Sequence, residues 1–459
     1  MLRFFLGGVG LATMLAAEPA VIPADLGYRG IWFELNQKYE YGDKYSGGLG
    51  TYTAKHRPLA IHAPEVGMTF FVYGGTTNAA EKHLLCMIGA YDHTTDEIVR
   101  PTVVHDKEGV DDPHDNPSLL IDEAGYLWVF VSGRGKARPG FKYRSEQPYD
   151  ISSFARVTEE EMTYPQPWNL AGGGMLHFFT KYTGVRELYF ETSPDGFTWS
   201  DDLKLAGIRE EGHSRGGHYQ VSSTHGTKVG TFFNRHPDGV VDQRTDLYYL
   251  ESADGGESWT TAGGEAVSIP VEDLASPTRA ENYAALGKNV YLKDMAFDAS
   301  GHPICLYVTS GGHEPGPMNA PREFKITRWD GARWVTHSVA PTGHNYDMGS
   351  LYLEDDRWTV IVPTGEGPQR HGTGGEIVRY SSADQGKNWQ LEQRITRDSP
   401  RNHGYVRRPE NAVDPFWYFW ADGNPDTLSI SRLYIGDSTG RYRALPVVMA
   451  ESRMKLGLR

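Results

Sequence analysis

Short apolar runs, interrupted by polar turn residues, follow one another from about residue 28 to the end of the chain. Clear examples are residues 69–73, 126–131, 359–362 and 416–420, which are rich in Val, Ile, Phe, Tyr and Trp. Short β-branched and aromatic runs of this kind are typical of strands, and helix signals are scarce. The pattern therefore predicts an all-β protein built from many short strands.

One type of turn recurs between these runs. It reads Ser-x-Asp-x-Gly-x-x-Trp at residues 252–259 and 382–389, and a copy one residue shorter spans residues 193–199. The Asp bonds nearby backbone amides, and the Gly tolerates the positive φ that the turn requires. The Trp is expected to pack each hairpin against its neighbour. This motif, the Asp-box, indicates a repeated β-hairpin unit and belongs to the scaffold.

The spacing of the repeats predicts the architecture. Successive repeats lie roughly 50–75 residues apart, the size of a four-stranded unit with a long loop. Dividing the chain by this spacing predicts a seven-bladed β-propeller with Asp-box hairpins, formed by residues 18–459 as a single domain. We expect the strand near residues 30–33 to close the ring by completing the C-terminal blade. A two-sheet sandwich is the competing architecture, but it does not predict so many similar hairpins.

The N-terminus has the pattern of an export signal. Arg3 is followed by an apolar run that ends at Ala16 and Ala17. Residues 1–17 therefore indicate a secretory signal peptide, too short for a membrane span, and predict a secreted or periplasmic protein. No later segment has the length of a transmembrane helix.

Charge and cysteine content narrow the class of partner. The formal net charge is −14 and no basic run is present, which argues against nucleic acid as a partner. An acidic sugar remains compatible, because a local Arg/His pocket can bind one. Cys86 and Cys305 both lie in apolar runs, so buried unpaired thiols are expected.

Six polar segments interrupt the strand pattern. They are residues 47–58, 111–117, 132–139, 217–220, 344–350 and 402–409. In a propeller the innermost strands and their loops converge on the central axis, so such segments can meet in one funnel. The candidate catalytic residues are His114, Tyr219, His218 and His56. The candidate substrate-binding residues are Lys55, Arg57, Arg134, Arg138, Gln220, Asn345, Tyr346, Arg407 and Arg408.

Structural roles compete with these assignments. His114 lies among acidic residues and is also compatible with a simple surface ion pair. Arg134 and Arg138 are equally compatible with solvated loop charges. His56 is flanked by Lys55 and Arg57, which favour its neutral, basic form, but a structural role is equally compatible.

A structural calcium ion is a further hypothesis. Oxygen ligands for it are available from Asp111, Asp112, Asp115 and Asn116, although their spacing does not match an EF-hand loop. A zinc site has less support, because no pair of His at i, i+4 is present. We expect no cofactor to be required for activity.

The polar segments together resemble those of secreted BNR/Asp-box propellers that remove terminal L-rhamnose from glucuronic acid in arabinogalactan and gum-arabic-type glycans. The segments that carry the resemblance are residues 44–52, 55–58, 73–77, 114–117, 217–222, 345–350 and 405–409. They span nearly the whole mature chain. The resemblance implies a seven-bladed catalytic propeller acting on an L-rhamnose-α-1,4-D-glucuronate cap.

Two chemistries are implied by the resemblance. Hydrolase-type members use one His that matches His56, on the propeller face opposite the usual one. Lyase-type members, and the more distant ulvan lyase propellers, work at the axial funnel with His, Tyr and Arg. His114 matches the first His of that group, while Arg134 stands where many relatives have a second His.

β-Elimination at a uronate requires a clamp for the carboxylate, a base for the C5 proton and an acid for the leaving O4. Arg suits the first role because its planar fork binds a carboxylate and stays charged. We assign the clamp to Arg134 or Arg138, the base to His114, and the acid to Tyr219 or His218.

Three classes of function remain open from the sequence: a lyase or rhamnosidase, a sialidase-like hydrolase, and a glycan-binding propeller without catalytic activity. Hydrolysis more usually needs two carboxylic acids that flank the bond, and the polar segments offer no such pair. Elimination is therefore favoured, although hydrolysis through His56 would not need that pair. The hydrolytic alternative is an α-L-rhamnosidase that uses His56. A sialidase-like hydrolase and a non-catalytic glycan-binding propeller are the further alternatives.

Overall fold

The computed structural model describes residues 26–48, 50–77, 83–110, 112–182, 185–213, 216–354 and 357–457. Within these ranges the regular structure is β-strand and short 3-10 turns, so the all-β prediction is confirmed. The turns lie at Pro113–Asp115, Pro237–Gly239, Val241–Gln243, Ala284–Leu286 and Pro317–Asn319. The signal peptide predicted for residues 1–17 lies outside the described residues. No helix in the described ranges is long and apolar enough to cross a membrane.

Seven antiparallel sheets of four to six strands follow one another along these ranges. Sheet 1 contains Ala60–Ala63, Met68–Gly75, Leu85–Asp92, Glu97–Asp106 and Arg453–Lys455. Sheet 2 contains Pro117–Ile121, Leu127–Val131, Gly140–Ser145 and Phe154–Glu160. Sheet 3 contains Thr163–Asn169, Met175–Lys181, Glu187–Ser193 and Leu203–Ala206. Sheet 4 contains Gln220–His225, Lys228–Arg235, Thr245–Ser252, Trp259–Thr260, Ala266–Val267 and Arg279–Glu281.

The remaining sheets complete the series. Sheet 5 contains Asn289–Phe297, Pro303–Ser310, Glu323–Trp329 and Trp334–Pro341. Sheet 6 contains Ser350–Leu353, Trp358–Pro363, Ile377–Ser382 and Gln390–Arg394. Sheet 7 contains Asn402–Arg407, Tyr418–Gly423, Leu433–Gly436 and Tyr442–Ala444. Two small sheets lie beside them, one of Gly30–Glu34, Ser46–Gly48 and Ser429–Ser431, the other of Lys38–Tyr39 and Gly42–Asp43.

The sheets pack face to face like the blades of a propeller, with the first strand of one sheet against the inner strands of the next. The strand Leu127–Val131 is buried along its whole length because neighbouring sheets cover both of its faces. This burial explains its uninterrupted apolar sequence, whereas the outer strand Phe154–Glu160 is polar and partly exposed. The propeller-like fold is therefore confirmed. The seven sheets support the predicted blade number and the single domain, which both stay predictions.

The Asp-boxes form the turns that follow the third strands of sheets 3, 4 and 6. In the second of them the Ser252 hydroxyl accepts the Gly256 amide at 2.8 Å, and Asp254 accepts the Ser258 amide at 2.9 Å. Gly256 has a φ of 98°, as the turn requires. Trp259 is buried against Phe190 of the preceding sheet, with ring centroids 5.1 Å apart. The expected role of the motif as a hairpin clamp between sheets is confirmed.

Ring closure differs from the expectation. Sheet 7 obtains all four of its strands from the C-terminal part of the chain, so Gly30–Glu34 does not complete it. This strand instead pairs with Ser46–Gly48 and with Ser429–Ser431 in a separate small sheet. The C-terminal strand Arg453–Lys455 joins the outer edge of sheet 1. Both chain ends thus connect the first and last sheets, but neither does so through the predicted pairing.

The two cysteines are both buried and free, as expected. Burial raises the pKa of Cys86 to about 12, and it also raises the pKa of Cys305. Both thiols behave as small apolar side chains of the strands.

Candidate functional site

Aromatic side chains from successive sheets line one end of the inner strands. His114 and Tyr219 come directly before the first strands of sheets 2 and 4, and Tyr164 lies in the first strand of sheet 3. The ring of Tyr164 lies 5.9 Å from His114 and 5.5 Å from Tyr219. These three side chains form a continuous wall, and the space that they face is called here the funnel.

Cations surround this wall. Arg134, Arg186 and Arg244 lie in the loops that join the second and third strands of sheets 2, 3 and 4. The guanidinium of Arg244 lies 4.9 Å from the Tyr219 ring, and the Lys55 amine lies 4.7 Å from the same ring. Basic side chains are thus concentrated at the funnel although the chain as a whole carries a formal net charge of −14, while burial holds the pKa of Lys55 well below its ordinary value. Such a site attracts an anionic ligand.

Tyr219 is electrostatically unusual. Burial raises the pKa of a phenol, but the positive charges of Arg186 and Arg244 outweigh burial here and hold the pKa of Tyr219 below its ordinary value. The other funnel tyrosine, Tyr164, has a raised pKa because burial dominates. Tyr219 is thus the phenol in this wall that is prepared to lose its proton.

His114 is held in one orientation by its neighbours. Its Nδ1 contacts Asp112, and the same carboxylate accepts the His114 backbone amide at 3.0 Å. The Tyr52 hydroxyl lies 3.1 Å from Nε2, and the Arg134 guanidinium lies 3.1 Å from Nδ1. Burial lowers the pKa of His114, and Asp112 opposes this effect. His114 is therefore neutral, with its ring fixed beside Tyr164.

The predicted arginine clamp is already engaged with the protein. Arg134 donates to Asp112 Oδ2 at 2.8 Å, and Arg138 donates to the same oxygen at 2.7 Å. Arg138 also lies 2.8 Å from Asp115. These ion pairs compensate the charges of both guanidinium groups.

Arg186 and Arg244 have no carboxylate within 4.0 Å among the described residues. Arg244 donates to the Tyr346 hydroxyl at 3.0 Å and to the Val241 carbonyl at 3.0 Å, both neutral partners. The Nε of Arg186 is buried without a hydrogen-bond partner in the same ranges. An anion bound in the funnel would find its uncompensated positive charge on these two arginines.

His236 is a further candidate side chain of the funnel. It is 1% exposed, and neither ring nitrogen has a hydrogen-bond partner among the described residues. Its ring lies 4.7 Å from that of Tyr219, and Gly217 makes room for it, since a Cβ at Gly217 would lie 2.8 Å from His236 Nδ1. Burial and then Arg244 lower the pKa of His236, so its ring is neutral. An unpaired buried polar group costs about 1–3 kcal/mol, which a bound hydroxyl or carboxylate would recover.

Residues 38–46, called here the strap, lie over the funnel. The Lys44 amine forms an ion pair with Asp242 at 2.8 Å. Tyr45 stacks on Tyr346 with ring centroids 5.1 Å apart and presents its edge to His114 at 6.0 Å. Because His114 precedes the first strand of sheet 2 and Tyr346 precedes the first strand of sheet 6, Tyr45 bridges two sheets that are not neighbours in the chain.

Three predicted site residues hold backbone instead of facing the funnel. The ring nitrogens of His218 contact the Ile208 amide at 2.9 Å and the Asn234 carbonyl at 2.8 Å. Gln220 donates to the Phe179 carbonyl at 3.3 Å, and Asn345 donates to the Gly312 carbonyl at 2.8 Å. All three side chains are nearly fully buried. They leave no free polar atom for a substrate.

His56 is also embedded in backbone. It is fully buried, its Nε2 lies 3.1 Å from the His114 carbonyl, and its Nδ1 accepts the Thr53 amide at 3.3 Å. Burial, followed by the charge of Arg407, lowers its pKa to about 3. In this structure His56 supports the segment that carries His114.

The predicted arginines of the last strand belong to the same support. Arg407 donates to the carbonyls of Thr51 and His56, at 2.9 and 3.1 Å. Arg57 contacts Asp294, and Arg408 lies 4.0 Å from the same carboxyl group. These arginines and His56 surround a cavity of only about 20 Å³, separate from the funnel wall. Lys55 and Tyr346 are the remaining predicted substrate-binding residues, and both face the funnel.

The predicted calcium ligands are already charge-compensated. Asp112 pairs with His114 and two arginines, and Asp115 pairs with Lys107 at 2.9 Å. Asp111 lies outside the described residues. Among those described, the group of carboxylates close enough to share an ion is Glu160, Glu191 and Asp202, and Lys142 already contacts two of its members. The calcium hypothesis has no supporting observation in this arrangement.

A comparison with protein families decides where the chain belongs. The model of the BNR repeat-containing family matches residues 87–341, which is more than half of the chain. The chain belongs to the BNR repeat-containing family. This match covers sheets 2 to 5, and with them the funnel residues His114, Tyr164 and Tyr219.

Relatives of this BNR repeat protein include ulvan lyases. One from Alteromonas sp. (strain LOR) is 22% identical over 316 residues, which are 61% of this chain and 63% of that protein, so the chain spans less than two thirds of its length. One from Nonlabens ulvanivorans is 22% identical over 361 residues, 71% of this chain and 74% of that protein. The structure of a PL25 ulvan lyase bound to -[GlcA(1-4)Rha3S]- has a TM-score of 0.71 and 18% identity, and the match covers 85% of this chain and 94% of that chain. At this identity the structural match supports the propeller fold.

Arg186, Arg244 and His236 lie outside the six polar segments, so the sequence analysis does not include them. A signal was present in the repeat. Arg134 was recognised, and Arg186 and Arg244 occupy the equivalent loops of the next two BNR repeat sheets. Aligning the repeats by their second strands would have identified all three arginines.

Proposed function

We propose that this BNR repeat protein is a polysaccharide lyase that cleaves a rhamnosyl-glucuronate linkage by β-elimination. The observation that carries the proposal is the lowered pKa of Tyr219. Burial raises this pKa, but the positive charges of Arg186 and Arg244 outweigh burial. A phenol that ionises easily, beside uncompensated cations in a funnel rich in basic side chains, suits proton abstraction from a uronate.

The two uncompensated arginines supply the first requirement of the reaction. A uronate carboxylate placed between Arg186 and Arg244 would be neutralised by charge-assisted hydrogen bonds. Neutralisation makes the adjacent C5 proton more acidic. The assignment of the clamp therefore moves from Arg134 and Arg138, which pair with Asp112, to these two residues.

Tyr219 serves as the base in this proposal. Its phenolate takes the C5 proton, the electron pair forms the C4–C5 double bond, and the C4–O4 bond breaks. In glucuronate the C5 hydrogen and O4 lie on neighbouring carbons in a gauche relation, so the same phenol can return the proton to O4. The released rhamnose then carries that proton. His236, whose two ring nitrogens have no partner among the described residues, is placed to bind a sugar hydroxyl, and His114, held by Asp112 and Tyr52, forms part of the funnel wall.

The strap favours a chain end over the middle of a polymer. Tyr45 bridges sheets 2 and 6, and further along the strap the Tyr39 hydroxyl lies 3.2 Å from His313. The Tyr41 ring meets His371 at 5.1 Å, on sheet 6. A polymer running through the funnel would have to displace these contacts, whereas a terminal rhamnose would end beneath them. We therefore infer that the enzyme removes a terminal unit.

The relatives are ulvan lyases, which supports elimination as the reaction. The relative of known structure is bound to a ligand in which glucuronate is joined to rhamnose. The hydrolytic alternative depended on His56. Because both ring nitrogens of His56 contact backbone and its side chain is fully buried, the geometry favours elimination.

Incubation with gum arabic tests the proposal. We expect free rhamnose together with the ultraviolet absorbance of an unsaturated uronate, in equal amounts. A Tyr45→Ala variant should in addition cleave internal rhamnosyl-glucuronate bonds of a long polymer, which is seen as a faster loss of viscosity per bond broken. Rhamnose without the absorbance would refute elimination, and an unchanged ratio of viscosity loss to bond cleavage in Tyr45→Ala would refute the role of the strap.

A further inference from the structure

A second cavity lies on the outer strands of sheets 4 and 5, away from the funnel. It has a volume of about 250 Å³ and is called here the rim cavity. Its walls are the hairpin of sheet 5 that carries Trp329 and Trp334, and the segment of sheet 4 that carries Gly263 and Arg279. Gly263 lies beside the hairpin, since a Cβ there would be in ordinary van der Waals contact with Trp329 at 3.4 Å. The volume is somewhat below the range of about 300–1,000 Å³ that holds drug-sized ligands, and suits one sugar unit.

Two tryptophans form a corner in the rim cavity. The rings of Trp329 and Trp334 have centroids 5.4 Å apart and an interplanar angle of 69°. Trp334 is anchored from behind by Phe232 and Tyr249, at 5.4 and 5.6 Å. Trp329 has no such backing among the described aromatic rings and remains partly exposed at the cavity. An aromatic corner of this kind offers flat apolar surface to the C–H face of a sugar.

Arg279 adds a cation to this corner. It has no carboxylate within 4.0 Å in the described ranges, and its guanidinium donates only to the Leu274 carbonyl, at 3.3 Å. Glu265, on the exposed side of the same cavity, is placed to accept hydrogen bonds from sugar hydroxyls. An arginine with free donors beside aromatic rings recognises a carboxylate presented by a flat ligand.

We propose that the rim cavity is a non-catalytic binding site for a uronate residue of the polysaccharide, stacked on Trp329 with its carboxylate on Arg279. This inference rests on the proposed function of the funnel for its choice of polymer. Holding a branched polymer at the rim raises the local concentration of its chain ends at the funnel, without any change in the chemistry there. Short substrates, which do not reach both places, gain nothing from the rim cavity.

Binding and kinetics of four proteins test the proposal: the wild type, Trp329→Ala, Arg279→Gln, and Phe197→Ala as a matched control. Phe197 is an aromatic residue 53% exposed on another hairpin. The probes are gum arabic and its carboxyl-reduced form in affinity electrophoresis. We expect Trp329→Ala and Arg279→Gln to bind gum arabic about tenfold more weakly than the wild type and the control. Carboxyl reduction should weaken the wild type and leave Arg279→Gln unchanged.

Kinetic measurements on the same variants distinguish the proposed binding site in the rim cavity from the proposed lyase activity of the funnel. The same two variants should raise KM on gum arabic with kcat unchanged, and should match the wild type on the disaccharide rhamnosyl-glucuronate. Equal binding by all four proteins, or an equal loss on the disaccharide, would overturn the rim cavity as a binding site. Loss of gum arabic binding in both variants of a protein that cleaves no glycan would support the rim cavity and reject the proposed lyase.

Discussion

Replacing Arg244 by Gln removes the charge that most directly prepares the funnel phenol. The Arg244 guanidinium lies 4.9 Å from the Tyr219 ring, and unit charges at that separation interact by about 3 kcal/mol at an effective dielectric constant of about 20. Because every ~1.4 kcal/mol changes a rate about tenfold, kcat/KM at neutral pH should fall by roughly 100-fold. The pKa of Tyr219 rises when the charge is lost, so the limb of the pH–rate profile that rises with phenolate should move to higher pH.

The assay is the initial rate of absorbance increase on a rhamnosyl-glucuronate disaccharide across a range of pH. Arg244→Lys is the matched control, since it keeps the charge and loses the planar fork, and it should retain the position of the pH limb. Melting temperatures of both variants show whether the fold is intact. An Arg244→Gln enzyme with the wild-type rate and an unmoved pH limb would refute the electrostatic role of Arg244.

The other predictions concern single side chains. Tyr219→Phe keeps the buried ring and should lower kcat by about 10²–10⁴-fold, without a change in melting temperature; a residual rate close to wild type would exclude Tyr219 as the base. His114→Ala should reduce turnover while the protein stays folded. His56→Ala should instead lower the melting temperature, because it leaves buried backbone groups unpaired at about 1–3 kcal/mol each. The reverse pattern would indicate that His56 is the catalytic residue. Trp259→Ala should destabilise the fold by about 3–5 kcal/mol in chemical denaturation and leave KM unchanged, and a KM that rises instead would place this Asp-box near the substrate.

The fold was predictable because its scaffold repeats. Each Asp-box turn needs the same Ser, Asp, Gly and Trp for local reasons, so the copies at residues 193–199, 252–259 and 382–389 are visible without any knowledge of tertiary structure. The pairing that closes the ring was not predictable in the same way. Strand partners far apart in sequence, such as Arg453–Lys455 and Glu97–Asp106, are selected by packing and leave no local signal.

The site was only partly predictable, and strand geometry explains which residues were placed wrongly. Side chains of extended chain alternate in direction, so when Tyr219 faces the funnel its neighbours His218 and Gln220 point away from it. A polar segment read as a unit therefore contributes one functional residue and two structural ones here. Arg186 and Arg244 stand alone in loops of ordinary composition, and only the three-dimensional arrangement shows that they flank Tyr219 without a carboxylate partner among the described residues.

The most direct test of β-elimination at the funnel compares the products of wild type and Tyr219→Phe on rhamnosyl-glucuronate. We expect the wild type to release rhamnose with one unsaturated glucuronate for each molecule, and Tyr219→Phe to release neither above a trace. Rhamnose accompanied by saturated glucuronate would exclude elimination, and an active Tyr219→Phe enzyme would exclude Tyr219 as the base.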